Sequence, residues 1–126
     1  FDTSPSMAYK QSNQTRLLAA QQFAKDHLGR LPSGSKVAVA ASSESSTAAF
    51  SIDLKAAQSR IEAQEIKATG LPLNDRLRTV LLSQEDDRRR VTSEQGSIPE
   101  DKREDRFVRE VYVFTDLAKS AWRDET

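Results

Sequence analysis

Four oxygen-bearing side chains stand where metal chemistry is available. Asp2, Ser4 and Ser6 alternate through the turn Asp2-Thr3-Ser4-Pro5-Ser6, so that five residues offer one carboxylate and two hydroxyls. Asp116 adds a second carboxylate at the end of the uncharged run Val111-Tyr112-Val113-Phe114-Thr115. All are hard oxygen donors of the kind preferred by Mg²⁺, and also by Mn²⁺ or Ca²⁺. Mg²⁺ keeps several of its waters, so few protein groups suffice to hold it. A coordination position left open would accept a carboxylate from a protein ligand. Each pattern also has a plain structural reading. Asp-x-Ser-x-Ser arises by chance, and an Asp after a strand commonly caps the next helix.

Other chemistries lose their parts on inspection. Gly29 to Lys36 imitates a phosphate loop, but it ends Gly34-Ser35-Lys36, with Lys and Ser exchanged, and it follows a helix instead of a strand. The one histidine, His27, falls within a helical pattern away from both oxygen-rich loops and reads as a surface or boundary residue. With no cysteine, and no histidine near a candidate serine, hydrolase readings lack a general base. Lys plus Arg and Asp plus Glu each total 19, so no net field draws the chain to nucleic acid or to an anionic membrane. No apolar run approaches the roughly 20 residues that span a bilayer. The 126 residues amount to one domain at most, and the 37% hydrophobic content allows a modest core.

Helical and strand patterns alternate around these residues. Leu17, Ala20, Ala24, Leu28 and Leu31 recur at spacings of three and four, with Asn13 or Thr15 as cap and Gly29 and Pro32 as stop. Val37–Ala40 and Ala48–Ile52 are short apolar runs, and the polar stretch Ser42–Thr47 between them suggests a hairpin. Asp53 caps a helix carrying Leu54, Ala57 and Ile61; Pro72 opens another carrying Leu73, Leu77, Val80 and Leu81. Gln84 to Arg106, dense in both charge signs, reads as a solvated helix end and a loop. Val111–Thr115 is the strongest strand pattern and suits the middle of a parallel sheet. The expectation is an α/β fold: a doubly wound, Rossmann-like, mostly parallel sheet with one antiparallel edge strand. In such sheets ligands bind at the carboxyl ends of strands, which selects the loops at Asp2–Ser6 and at Asp116.

Taken in order, Asp2-Thr3-Ser4-Pro5-Ser6-Met7, a helix, a hairpin, two helices and Val-Tyr-Val-Phe-Thr-Asp resemble the von Willebrand factor type A family across nearly the whole chain. The resemblance implies a metal-ion-dependent adhesion site. In it Ser4 and Ser6 bind the ion directly, while Asp2 and Asp116 bind it directly or through water. The family adds a Thr from a middle loop. Here that loop reads Thr69-Gly70-Leu71-Pro72-Leu73, so Leu71 stands at the aligned position and Thr69 is the nearest substitute. Pro5 replaces the usual Gly between the serines, and Leu117 follows Asp116 where many members have Gly. The variant Asp-Thr-Ser-Pro-Ser-Met with Phe-Thr-Asp-Leu is similar to large bacterial membrane proteins of the aerotolerance-operon (Bat) type. That likeness implies a membrane-anchored parent with this domain outside the lipid.

The same reading makes residues 1–126 a partial domain, truncated at both ends and lacking the first strand and the later strands and helices, which predicts poor stability alone. The function expected is protein binding, with a metal-free structural or interaction module as the alternative. A Mg²⁺-dependent phosphoaspartyl enzyme or phospho-acceptor is a further alternative. Its usual second acidic residue is replaced by Ser4, which removes the general acid.

Overall fold

A computed structural model describes residues 1–44 and 49–122. Helix α1, Arg16–Leu28, begins where the Thr15 hydroxyl accepts the Leu18 amide at 3.0 Å, one of the two caps that the sequence allows. Its Leu17, Ala24 and Leu28 are buried on one face. Helix α2, Leu54–Glu62, is capped as expected by Asp53, whose carboxylate accepts the amides of Lys55 and Ala56. Ala57 and Ile61 face α1, and with Ala24, Leu28 and Val39 they make the apolar core. The buried Gln21 amide stitches the two helices together by donating to the Ile61 carbonyl at 2.9 Å, a helix-end acceptor that also takes the Gln64 amide at 3.3 Å.

Helix α3, Leu73–Ser93, is longer than the sequence pattern suggests. Gln84–Ser93 is the helix end expected there, but it is not wholly solvated, since Asp87 and Val91 are buried, and two sets of contacts hold it. Glu85 pairs with Arg88 and Arg89 along its surface, three and four residues away. Asp87 turns inward and accepts Lys36 Nζ and Arg109 Nη1, both at 2.8 Å. Arg109 is held in turn by Asp105 at 2.6 Å, so α3 is fastened to the 36–42 and 105–110 segments mainly by polar bonds.

The expected doubly wound, mostly parallel sheet is not formed. The regular strands among the described residues are two antiparallel pieces, β1 (Lys10–Gln11) and β2 (Gln14–Thr15). Their two-residue turn places Ser12 and Asn13 at φ 53° and 64°, the left-handed backbone that tight hairpins of this kind require. Val37 and Ser51 exchange both backbone hydrogen bonds as a lone antiparallel bridge. Of the polar stretch Ser42–Thr47 expected to turn between them, residues 45–47 lie outside those described. Val111–Thr115 keeps its strand-forming composition without strand neighbours. Val111, Tyr112 and Val113 are 39%, 47% and 43% exposed, whereas a central parallel strand is covered on both faces.

The physical reason lies in how little backbone is offered for pairing. Phe1–Thr3 runs between the 40–42 and 114 segments: the Phe1 amino group donates to the Ala40 carbonyl, Ser42 N–H to Phe1, and Asp2 N–H to Phe114. After those bonds the chain turns at Ser4 into a 3₁₀ turn, Pro5–Ala8, and among the described residues they are not extended into a ladder. Phe1 and Phe114 stack at 4.9 Å and seal this junction against the core.

Candidate functional site

The junction brings the two oxygen-rich loops together. Asp2 is 0% exposed, and both of its carboxylate oxygens are engaged: Oδ1 accepts the Ser4 amide at 2.9 Å and Oδ2 accepts the Thr115 hydroxyl at 2.8 Å. The Asp2–Ser4 bond is a short side-chain-to-backbone turn that folds the loop on itself and lifts Ser4 toward Ser6. The Ser4 and Ser6 hydroxyl oxygens lie 3.2 Å apart. The Ser6 hydroxyl also lies close enough to Asp116 to help lower its carboxyl. The result is a connected chain of bonds, Ser6 to Ser4 to Asp2 to Thr115, with Asp116 the next residue along.

Asp116 is positioned by its own turn. Its Oδ1 accepts the Ala118 amide at 3.0 Å, and Thr115 Oγ1 accepts the Leu117 amide at 3.1 Å. Leu117 sits at φ 59°, a backbone region in which a Cβ crowds the following carbonyl. This is the position where the resemblance noted above has glycine. Asp116 Oδ2 is held by Arg16 Nη1 at 2.7 Å. Burial pushes the Asp116 carboxyl up, but the Ala118 amide, the Ser6 hydroxyl and Arg16 together outweigh it and hold the carboxyl below its ordinary value.

The middle loop meets this cluster by its backbone. Lys67 N–H donates to Thr3 O and Leu71 N–H to Ser42 O. A Cβ at Gly70 would stand 2.9 Å from the Ser42 carbonyl oxygen, so only glycine allows this close approach. The Thr69 side chain is exposed and makes no hydrogen bond with the cluster among the described residues. Of the five expected site residues, Asp2, Ser4, Ser6 and Asp116 are brought together and Thr69 is not.

Three participants were absent from the sequence-based reading. Thr3 and Ser42 are buried and share a hydroxyl contact at 3.2 Å, with the Thr3 amide also donating to Ser42 Oγ at 2.9 Å. Ser42 had a faint signal, since it follows the apolar run at Val37. Arg16 had none, because a basic residue 100 positions from Asp116 carries no local mark of its partner.

The chemistry of the cluster suits a hard divalent ion. Among the described residues no three His, Cys, Asp or Glu side chains converge, so hydroxyls must supply part of the donor set. The 3.2 Å between Ser4 Oγ and Ser6 Oγ falls between the ligand spacings of about 3 Å and about 3.4 Å that follow from Mg–O and Ca–O distances at right-angle coordination. Two carboxylates face a single guanidinium, and burial lowers the neighbouring Phe1 amino group to about 6, so at neutral pH the cluster keeps one negative charge in excess.

A cavity of about 270 Å³ lies elsewhere. It is mainly apolar and runs from Phe1 and Phe114 past Leu28 and Val39 to Phe107. His27 borders it, half-buried, with its ring 4.3 Å from Tyr112 and its Nε2 atom buried without a hydrogen bond. Comparison with family models, with curated proteins and with solved structures finds no match to this chain.

Proposed function

We propose that the chain is a protein-binding module whose docking point is a divalent cation, Mg²⁺ first among those of this class. Ser4, Ser6 and Asp116 would hold the ion directly, and Asp2 would order the loop and act through water. The ion would supply an open coordination position for a carboxylate of the protein ligand. The observation that carries this reading is the cluster of hydroxyls and carboxylates, joined through Ser6, Ser4, Asp2 and Thr115, with unbalanced negative charge. It depends on the two loops and not on a parallel sheet.

The resemblance to Bat-type proteins supports a second part of the proposal, a parent protein anchored in a cell membrane with this segment outside the lipid. No described helix is long and apolar enough to cross a membrane. The metal-free alternative, an interaction module that needs no ion, is favoured by one observation, the 2.7 Å contact by which Arg16 already occupies Asp116. A phosphoaspartyl enzyme finds no support in the geometry, because a nucleophilic carboxylate must be accessible and Asp2 is buried with both oxygens engaged.

Electron paramagnetic resonance of Mn²⁺ tests the reading. The free-ion signal should fall saturably when the protein is added, and a Ser4→Ala, Ser6→Ala double variant should leave it unchanged. Equal loss of signal with the native chain and the double variant would place the ion elsewhere and refute the assignment.

A further inference from the structure

We propose that Arg16 is a cation-competing latch, a guanidinium that holds Asp116 in the ion-free state and must leave when a divalent ion enters. This inference rests on the cation reading above and concerns the regulation of the same site.

The argument starts from the oxygens of Asp116. Oδ1 is committed to the Ala118 amide, a bond that shapes the loop, so Oδ2 is the oxygen available to an ion. Arg16 Nη1 sits on that oxygen at 2.7 Å. The Asp116 side chain is 5% exposed, whereas that of Arg16 is 35% exposed, so the carboxylate is fixed and the guanidinium is the partner with room to move. A guanidinium on Oδ2 fills one of the lone-pair directions an ion would use, and its like charge repels the ion across the same few ångströms.

Two further features make Arg16 displaceable. It is the first residue of α1, where the positive end of the helix disfavours a cation, and no acidic residue occupies that first turn to offset it. Its guanidinium also lies over the Tyr9 ring, 4.8 Å from the centroid, a contact that remains available once Asp116 is released. The β1–β2 hairpin fixes this arrangement, since Arg16 N–H donates to the Tyr9 carbonyl at 3.0 Å and brings both ends of the hairpin together. The latch thus lets the carboxylate stay ordered without an ion and raises the ion concentration needed to load the site.

Calorimetric titration of the 126-residue chain with MnCl₂ tests this, using Arg16→Gln, Arg16→Ala and Asp116→Asn variants whose folding is checked by circular dichroism. The Arg16→Gln chain should bind Mn²⁺ about tenfold more tightly than the native chain, as expected when a charge-assisted hydrogen bond no longer competes. In the Arg16→Ala chain, low concentrations of guanidinium chloride should weaken Mn²⁺ binding again, an effect that a merely structural arginine would not produce. Unchanged or weaker binding by Arg16→Gln, with loss of binding in Asp116→Asn, would overturn the latch and leave the cation site standing. Absence of Mn²⁺ binding in the native chain and in both Arg16 variants would overturn the site and the latch together.

Discussion

Asp87 and Asp116 are both nearly buried carboxylates, 3% and 5% exposed, and each is gripped by a cation at 2.7 to 2.8 Å. Their surroundings differ in charge balance. Around Asp87 and Asp105 stand Lys36 and Arg109, two cations for two carboxylates, with Lys36 also 4.6 Å from the Phe107 ring. Around Asp2 and Asp116 stand two serine hydroxyls, a threonine and one half-exposed arginine. The first cluster is neutral and closed, as suits a staple. The second is short of one positive charge and lined by hard oxygens, as suits a site. A buried carboxylate by itself therefore signals neither role; the number of cations that accompany it separates the two.

The sharpest way to break this comparison is to remove each carboxylate in turn. Asp87→Ala leaves Lys36 and Arg109 facing each other in a mostly buried space, and should cost about 3 kcal/mol in urea unfolding. Acid should act on the same staple. Burial pushes the Asp87 carboxyl up, yet the bonds from Lys36 and Arg109 prevail and hold it below its ordinary value; Asp105 is lowered by Arg109. The unfolded carboxyls take up protons near pH 4 while the folded ones do not, so the staple's contribution is full above that pH and is lost as the pH falls through the depressed folded values. Stability measured from pH 6 to pH 3 should decline less steeply below pH 4 in Asp87→Asn than in the native chain.

Gly70→Ala should rank next, at about 2 kcal/mol, because its Cβ meets the Ser42 backbone, which cannot swing aside as a side chain would. Asp116→Asn should cost less than about 1 kcal/mol in the ion-free protein, since Arg16 is partly exposed and screened. Comparable losses at Asp87 and Asp116 would erase the distinction between staple and site. The smallest effect should come at Leu117. Leu117→Gly relieves a left-handed backbone at a side chain that is largely solvent-exposed, and should raise the thermal midpoint by an amount equivalent to up to about 1 kcal/mol.

The parts of this arrangement that were legible in the sequence are those set by near neighbours. The spacing of Leu17, Ala24 and Leu28 and the caps Thr15 and Asp53 marked α1 and α2 because helices are written every three or four residues. Asp2, Ser4, Ser6 and Asp116 were marked by side-chain type and by their places in turns. What escaped is non-local. Gln84–Ser93 looked like solvated charge because the partners that justify a buried Asp87, Lys36 and Arg109, lie 51 and 22 positions away. Val111–Thr115 looked like a central strand because composition records strand propensity, whereas a sheet also needs neighbouring backbone, and Phe1–Thr3 offers too little of it.

The central claim, that the oxygen cluster takes up a divalent ion, is tested most directly by Mg²⁺ titration calorimetry comparing the native chain with Asp116→Asn and Asp87→Asn. Saturable binding that Asp116→Asn abolishes and Asp87→Asn leaves intact is the result predicted here. Saturable binding that survives Asp116→Asn, or no binding by the native chain and by Arg16→Gln alike, would contradict the account.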